Sequence, residues 1–401
     1  MLSNIKSQAI IIIATIVLLI ICHINTQKPP QNITTSPKNN DVWLPTHSTE
    51  KLNNIHSILK HLAQNNNFSG ACIIGQKDSI LLSFYHGIAN YQTRDSITDT
   101  TAFQLASISK QFTAVAILQL YQQNKLKLTD SVQQYFPDFP YHNITIHQML
   151  VHRSGLPNYH YLLDQKPIVD TPPFTNTNII ADLIEANEPR YFTPNRRYQY
   201  NNTGYAVLAA IVEKISGLSF DEYLKQYIFT PLEMTHSFAY RGLAQVKYPS
   251  HAIGYVRRRT PADDNYLDHY LGDKGIYTSA PDLFKWDQGL YKNIIIHPDT
   301  LNLAFQPMGK NPKASSNYGY GWRTMLWGDQ QIKILFHSGW WHGFKTSLIR
   351  IPHDTTTIIL LRNHSKSNSI GMTRLLRILY PNSTPINTPS DTLSIDNDSI
   401  E

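Results

Sequence analysis

Cysteine is nearly absent. The 401 residues contain two, Cys22 and Cys72, so neither a disulfide framework nor a Cys-x-x-Cys metal site can be built. Glycine-rich phosphate loops are missing as well: no Gly-x-Gly-x-x-Gly follows a strand-like run, which removes the nucleotide-binding classes. Histidine is common, at 17 residues, yet none falls in a His-x-His-x-Asp or His-Glu-x-x-His arrangement, so no metal and no other cofactor is expected. The spaced His142, His147 and His152 read as packing and turn residues. A surplus of one charge is lacking too. The net charge of +6 is modest for the length, and the one dense run, Arg257-Arg258-Arg259, borders Thr260-Pro-Ala-Asp-Asp264 and reads as a solvated loop. Without an extended basic face, no nucleic-acid partner is expected.

Long hydrophobic runs are also scarce. The one present, Ala9 to Cys22, follows Lys6 and precedes a polar stretch ending in Pro29-Pro30. A positive n-region before an apolar h-region is the layout of an export signal, and the run is shorter than the roughly 18–20 residues of a comfortable membrane span. Residues 1–28 therefore read as an export signal or membrane anchor. Three fates stay open: cleavage, retention as a single anchor, or lipid attachment at Cys22, where Ile21 is larger than a lipobox residue. The expected location is exported, periplasmic or at the cell surface, with any membrane association through this segment only. Residues 29–48, rich in Pro, Asn, Thr and Ser, read as a flexible linker; residues 49–381 read as the folded body, and 382–401 as a disordered polar tail.

Within the body, Lys51–Gln64 has helical spacing, and two apolar strands, Gly70–Gly75 and Ser79–Tyr85, flank a Gln-Lys-Asp turn. The middle is loop-rich and aromatic, with helical patches at 145–151, 178–187, 204–215 and 220–227. Strands return at 320–325, 331–337, 344–351 and 356–362, and a last helix is expected over 368–380. Strands near both ends with helices between them predict an α+β fold: one antiparallel sheet from N- and C-terminal strands, flanked by helices, with an inserted, mostly helical lobe. The cleft between two such lobes is the expected site.

The stretch Phe103-Gln-Leu-Ala-Ser107-Ile-Ser-Lys110-Gln-Phe112 leads into a helix that is apolar over most of its circumference. Ser107 stands where the helix begins, so it reads either as an N-cap or as a nucleophile. For the second reading, residues three apart on a helix share a face, so the Lys110 amine can reach the Ser107 hydroxyl and take its proton. Ser109 projects from a different face and is the poorer nucleophile. Free N–H groups at a helix start favour a developing oxyanion.

Two further segments could complete a site. In Tyr200-Asn-Asn202-Thr-Gly204, two polar side chains lie two apart before an apolar helix. A phenol near an ammonium can act as general base or proton relay, and an amide at 202 can bond both a lysine and a substrate carbonyl; equally, Asn202 can make the turn and Tyr200 can pack. In His337-Ser-Gly339-Trp340-Trp341, at a strand end, Gly339 would admit a substrate backbone. The Trp340 N–H could join that of Ser107 in an oxyanion hole, and a protonated His337 would hold a substrate carboxylate. An edge histidine and packed tryptophans are the plainer reading.

Taken together, these motifs resemble the serine β-lactamase and penicillin-recognising DD-peptidase superfamily, in particular its class C β-lactamase-like branch. Ser107-Ile-Ser-Lys110 matches the family's nucleophile motif, Leu150-Val-His152-Arg-Ser154-Gly-Leu-Pro157 a loop of the branch, Tyr200-Asn-Asn202 its Tyr-x-Asn element, and His337-Ser-Gly339 its Lys/His-Thr-Gly element. Pro231-Leu-Glu-Met234 resembles a Pro-Leu-Gly-Met turn, with glutamate in place of glycine. The resemblance runs from about Phe68 to Asn363. It implies that Ser107 forms an acyl-enzyme, that Lys110 and Tyr200 share the proton traffic, and that Asn202 positions them. Trp340 completes the oxyanion hole, and His337 and Gly339 face the substrate. The implied function is an exported serine hydrolase cleaving amide bonds of small peptides, including those with D-residues. A carboxylic ester hydrolase on the same scaffold and a slowly deacylating penicillin-binding sensor are the alternatives. Histidine in place of lysine at 337 weakens carboxylate binding, and Trp340-Trp341 narrow the cleft in favour of apolar acyl groups.

Overall fold

The computed structural model describes residues 46–168, 174–242, 248–257, 259–308, 317–364 and 370–381. The apolar run 9–22, nearly all of the expected linker and the polar tail 382–401 lie outside the described residues. Among the described residues no helix is long and apolar enough to cross a membrane.

The alternation of the C-terminal strands closes an antiparallel sheet that the N-terminal hairpin completes. Helix α1 (Thr49–Gln64) leads into β1 (Gly70–Gln76) and β2 (Ser79–His86). After the helical region come β3 (Asn317–Tyr318), β4 (Arg323–Trp327), β5 (Ile332–Trp341), β6 (Phe344–Ile351) and β7 (Thr356–Arg362). The seven strands are ordered β3-β4-β5-β6-β7-β1-β2, with β1 paired to β7 from Gly70↔Arg362 to Gln76↔Thr356. This is the α+β arrangement the strand positions imply. The sheet is covered on both faces, so β1 and β7 are buried along their whole length and read as near-continuous apolar runs.

One face packs on α1 and on α5 (Met372–Leu379), through Ile55, Leu59, Leu375, Leu376 and Leu379 against Phe336, Ile349 and Leu360. The other carries the larger core around α2 (Ser109–Gln122), α3 (Asn202–Ser216) and α4 (Ala280–Tyr291). Every residue of α2 from Ser109 to Leu120 is buried, and Phe112 stacks on Trp286 of α4 at 3.8 Å. An all-round apolar helix is stable only in such a position.

Several boundaries differ from the sequence expectation. The folded body starts before residue 49: the Thr46 N–H donates to Gln76 at 2.8 Å, and buried His47 meets Thr356 Oγ1 at 2.9 Å. Strand β4 starts three residues later than position 320, because Gly321 takes a left-handed backbone (φ +81°) against the Lys110 carbonyl. β5 runs on to Trp341, since its pairing with β6 continues past the point where β4 ends. The basic run at 257–259 borders a two-stranded ribbon rather than a plain loop: Tyr255–Arg257 pairs with Thr260–Pro261, and the Arg259 guanidinium lies 5.1 Å from the Tyr91 ring.

Candidate active site

Ser107 is not a helix cap. It lies in a single 3₁₀ turn, Ala106–Ile108, just before α2, and no side-chain cap bond forms there. Ala106 has a left-handed backbone at φ +50°, a conformation that costs a non-glycine residue on the order of 1 kcal/mol and is held by its surroundings. The Leu105 N–H donates to the Ile276 carbonyl at 2.8 Å, the Thr346 hydroxyl donates to the Leu105 carbonyl at 2.7 Å, and the Ile276 N–H donates to Ser109 Oγ at 3.3 Å. These bonds occupy Ser109 and leave Ser107 facing the cleft.

Lys110 is fully buried. Its Nζ donates to Ser107 Oγ at 3.1 Å and to the Asp273 carbonyl at 3.0 Å. Burial pulls its pKa from 10.5 down to about 7; Asp273 opposes this and the Arg323 guanidinium reinforces it. An amine with that pKa is partly neutral near pH 7 and can accept a hydroxyl proton.

Tyr200 meets this pair ring-on: Lys110 Nζ lies 4.9 Å from its ring centroid. Beneath it His152 is buried, with ring centroids 4.3 Å apart, and accepts the Asn201 N–H at 3.1 Å. Desolvation first, then the charges of Lys110, His337 and Arg323, hold His152 well below the usual imidazole range. Asn201 rather than Asn202 caps α3, accepting the Gly204 N–H at 3.2 Å. That frees Asn202 as the first helical residue. Its Nδ2 bonds His160 Nδ1 at 3.3 Å instead of reaching Lys110, and its buried Oδ1 has no hydrogen-bond partner among the described residues.

On the far wall, β5 passes directly against the nucleophile turn. A Cβ on Gly339 would lie 2.2 Å from the Leu105 carbonyl oxygen and 2.9 Å from Ala106 Cβ. The glycine thus makes room for the protein's own turn, which corrects the expectation that it admits substrate. His337 is also revised. It is buried, its Nδ1 bonds the Ser338 carbonyl at 2.7 Å, and its Nε2 meets the Tyr318 hydroxyl at 3.0 Å. That pairing makes Nδ1 the protonated nitrogen and Nε2 the acceptor. Desolvation, with the charges of Arg323 and Lys110, holds its pKa well below 6.5. A neutral imidazole supplies no cation for a carboxylate. Both tryptophans border the cleft, as expected, in different settings: the Trp341 indole is fixed by donating to Asp268 at 2.7 Å, whereas Trp340 is 43% exposed at the rim.

The cleft holds about 1310 Å³ and is lined by Ser107, Tyr200, Asn202, His337 and Trp340 among others. All the side chains expected from sequence thus border one space, with Lys110 behind it and Gly339 buttressing the turn.

Comparison with known proteins follows from this geometry. The family model described as Beta-lactamase matches residues 55–380. Penicillin-binding protein 4* of Bacillus subtilis is 32% identical over 330 residues, covering 78% of this chain and 72% of that protein. The chain belongs to the beta-lactamase family. It is a serine hydrolase by that membership. Protein flp of Staphylococcus aureus is 27% identical over 331 residues, covering 77% of this chain but only 62% of its relative's length. The crystal structure of a penicillin binding protein from Bacillus halodurans superposes with a TM-score of 0.68 at 24% identity, covering 79% of this chain and 97% of that one.

Beside the residues expected of a beta-lactamase-family chain stands a polar group that sequence reading did not single out. The Tyr159 hydroxyl donates to Asp273 Oδ1 at 3.0 Å, and His160 Nε2 meets Asp273 Oδ2 at 3.2 Å. Lys274 donates to the Tyr159 hydroxyl at 2.8 Å. Despite full burial Asp273 stays ionised, pulled down to about 2 by Lys274 and His160. Gly272-Asp-Lys-Gly275 carries no spacing rule; two adjacent opposite charges inside an otherwise apolar and aromatic stretch was the available signal. A second gathering, Asp264, Asp268 and His342, brings candidate ligand atoms within 4.8 Å of one another. Trp341 and His342 already bond the Asp268 carboxylate, which accounts for the clustering without an ion.

Proposed function

We propose that this serine hydrolase acts through an acyl-enzyme on Ser107 and cleaves amide bonds of small peptides, including those with D-residues. The observation that carries the reading is the 3.1 Å contact between Ser107 Oγ and a buried lysine whose pKa lies near 7. Neutral Lys110 takes the hydroxyl proton as Ser107 Oγ bonds to the substrate carbonyl carbon. The oxyanion forms against the backbone N–H groups of Ser107 and Trp340; one such donor contributes on the order of 3–4 kcal/mol to the barrier. Collapse breaks the carbon–nitrogen bond, and the proton passes from Lys110 to the leaving amine, with Tyr200 beside it as the alternative relay. A water then attacks the ester, gives its proton to the same base and releases Ser107. Asn202 lines the cleft, and its Oδ1, without a hydrogen-bond partner among the described residues, is suited to accept an N–H from the substrate.

Intact-mass detection of a covalent adduct with a penicillin or a fluorophosphonate tests the reading. The adduct is expected on the parent and absent in Ser107→Ala; labelling that survives the substitution refutes it. Turnover of a D-alanyl peptide, a chromogenic ester and a cephalosporin side by side ranks the bond cleaved. Export through residues 9–22 is part of the same proposal, supported by the n-region and h-region order. Fractionation that leaves the chain in the cytoplasm ends it.

A further inference from the structure

The buried charges beside the nucleophile dictate which way each proton points. Asp273 is desolvated but faced by Lys274 and His160, so its carboxylate is ionised and can only accept. The Tyr159 hydroxyl therefore donates to Oδ1 at 3.0 Å. Lys274 gives its three N–H groups to the Tyr159 oxygen, at 2.8 Å, and to the Leu267 and Tyr270 carbonyls. Oδ2 takes the Nε2–H of His160 at 3.2 Å. For His160, burial outweighs the pull of Asp273, and the charges of Lys274 and Lys110 add to it, so the ring is neutral at pH 7. With the proton on Nε2, Nδ1 has only a lone pair to offer. Asn202 must turn its Nδ2 toward that lone pair, as it does at 3.3 Å. Oδ1 is thereby left on the opposite limb of the amide.

The loop that carries His160 is laced to the turn that carries Asn202. Asn201 Nδ2 donates to the Leu156 carbonyl at 2.8 Å, and the Thr203 hydroxyl donates to the Pro157 carbonyl at 2.6 Å. The Tyr159 N–H returns to Thr203 Oγ1 at 2.8 Å. Both neighbours of Asn202 are thus tied to the backbone on which His160 stands. The His160 ring also leans on Trp341, with 5.0 Å between centroids, and the indole is itself held by Asp268. Histidine and amide are therefore fixed with respect to each other, and both border the cleft. Asn202 Oδ1 has no hydrogen-bond partner among the described residues. An acceptor left without a donor is costly, and a substrate N–H is a donor that the cleft can admit.

We propose that His160 is a positioning residue that sets specificity through Asn202: by taking the Nδ2 donor to itself, it leaves Oδ1 to accept an N–H of the acyl substrate. The proposal rests on the hydrolase reading above and adds a substrate requirement, an amide N–H in the acyl portion, as in an N-acylated residue. A donor in place of His160 Nδ1 would turn the amide over, and the site would then call for a substrate carbonyl.

The p-nitrophenyl esters of N-acetyl-D-alanine and of O-acetyl-D-lactic acid differ only in N–H against O, and they test it on the full chain. With each rate corrected for uncatalysed hydrolysis, the parent is expected to show kcat/KM about ten-fold higher for the N-acetyl ester. In His160→Leu the ratio should fall to near one, because the amide is free to turn. A merely structural histidine would slow both esters alike and leave the ratio standing. His160→Gln, whose carboxamide supplies one acceptor and one donor as the ring does, should restore the preference. Asn202→Ala should abolish it, and adding His160→Leu to that variant should not move the ratio further. A parent ratio near one, or a preference that survives His160→Leu, overturns the proposal. Should His160→Leu fail to fold, the imidazole ¹⁵N shifts of the parent at neutral pH decide, with His160 assigned by the loss of its signal in His160→Gln: a proton on Nε2 alone supports the role, and a proton on Nδ1 ends it. If neither ester is cleaved and neither acylates Ser107, the hydrolase reading has failed instead. Calorimetric binding of both compounds to Ser107→Ala then tests the positioning role: tighter binding of the N-acetyl compound supports it, and equal binding ends it.

Discussion

Replacing Lys110 by methionine should stabilise the fold at neutral pH while abolishing acylation of Ser107. The amine is fully buried, and its pKa falls from 10.5 to about 7, chiefly by desolvation. That gap amounts to roughly 5 kcal/mol against the ammonium form. The unfolded chain holds the proton up to pH 10.5 and the folded chain gives it up above about 7, so stability rises with pH across that window. The cost is therefore complete below pH 7 and has vanished above 10.5. Methionine fills a similar volume with no charge to desolvate. It forfeits the contacts to Ser107 Oγ and the Asp273 carbonyl, about 1 kcal/mol each. The variant should thus be more stable than the parent by roughly 2–3 kcal/mol at pH 6.5, and that advantage should shrink by about the same amount by pH 9. Urea unfolding of both proteins at the two pH values measures the difference, and comparing variant with parent removes the other titrating groups. In the parent, kcat/KM should rise with pH through about 7 as Lys110 becomes neutral. A stability difference that stays flat from pH 6.5 to 9 would mean the buried lysine keeps an ordinary pKa, and the base assignment would go with it.

Other substitutions probe the surroundings of this pair. Arg323→Gln removes a positive charge that helps depress Lys110, so the rise of kcat/KM should move to higher pH; an unmoved profile means the two groups do not sense each other. Gly339→Ala puts a Cβ 2.2 Å from the Leu105 carbonyl oxygen. The displaced turn should cost about 1–3 kcal/mol in urea unfolding and about a hundred-fold in kcat, whereas near-parent values would show that β5 gives way freely. Asp273→Asn leaves buried Lys274 without the stronger of its two counter-charges, Asp268 being the other, and should destabilise the protein by about 3 kcal/mol. In the parent the Asp273 carboxylate, depressed to about 2, contributes stability that is present above its unfolded value of 3.8 and is lost as pH falls toward 2. The variant should lack that acid limb in a thermal melt.

What could be read locally was legible because its signal is local. The apolar runs and turn punctuation of 344–351 and 356–362 match the observed bounds of β6 and β7, since short apolar runs bounded by turn residues mark strands buried on both faces. The all-round apolar character of 112–120 announced a buried helix. Ser107 and Lys110 were legible because three-residue spacing brings side chains together in the 3₁₀ turn that leads into α2 just as it does on an α-helix. Roles that depend on a distant neighbour were not. Whether Gly339 serves a ligand or the chain's own backbone depends on a turn more than two hundred residues earlier. Whether His337 carries charge depends on Tyr318, the Ser338 carbonyl and Arg323 around it. Asp273, Lys274 and His160 lie far apart from the nucleophile in sequence and follow no spacing rule, yet they hold Lys110 and Asn202 in place. The sequence by itself determined the strands, the buried helix and the serine–lysine pair, because these follow from backbone periodicity. Only the tertiary structure decided which of the surrounding groups are charged, because desolvation and Coulomb interactions depend on what the fold brings within a few ångströms, and that is a property of no single stretch of chain.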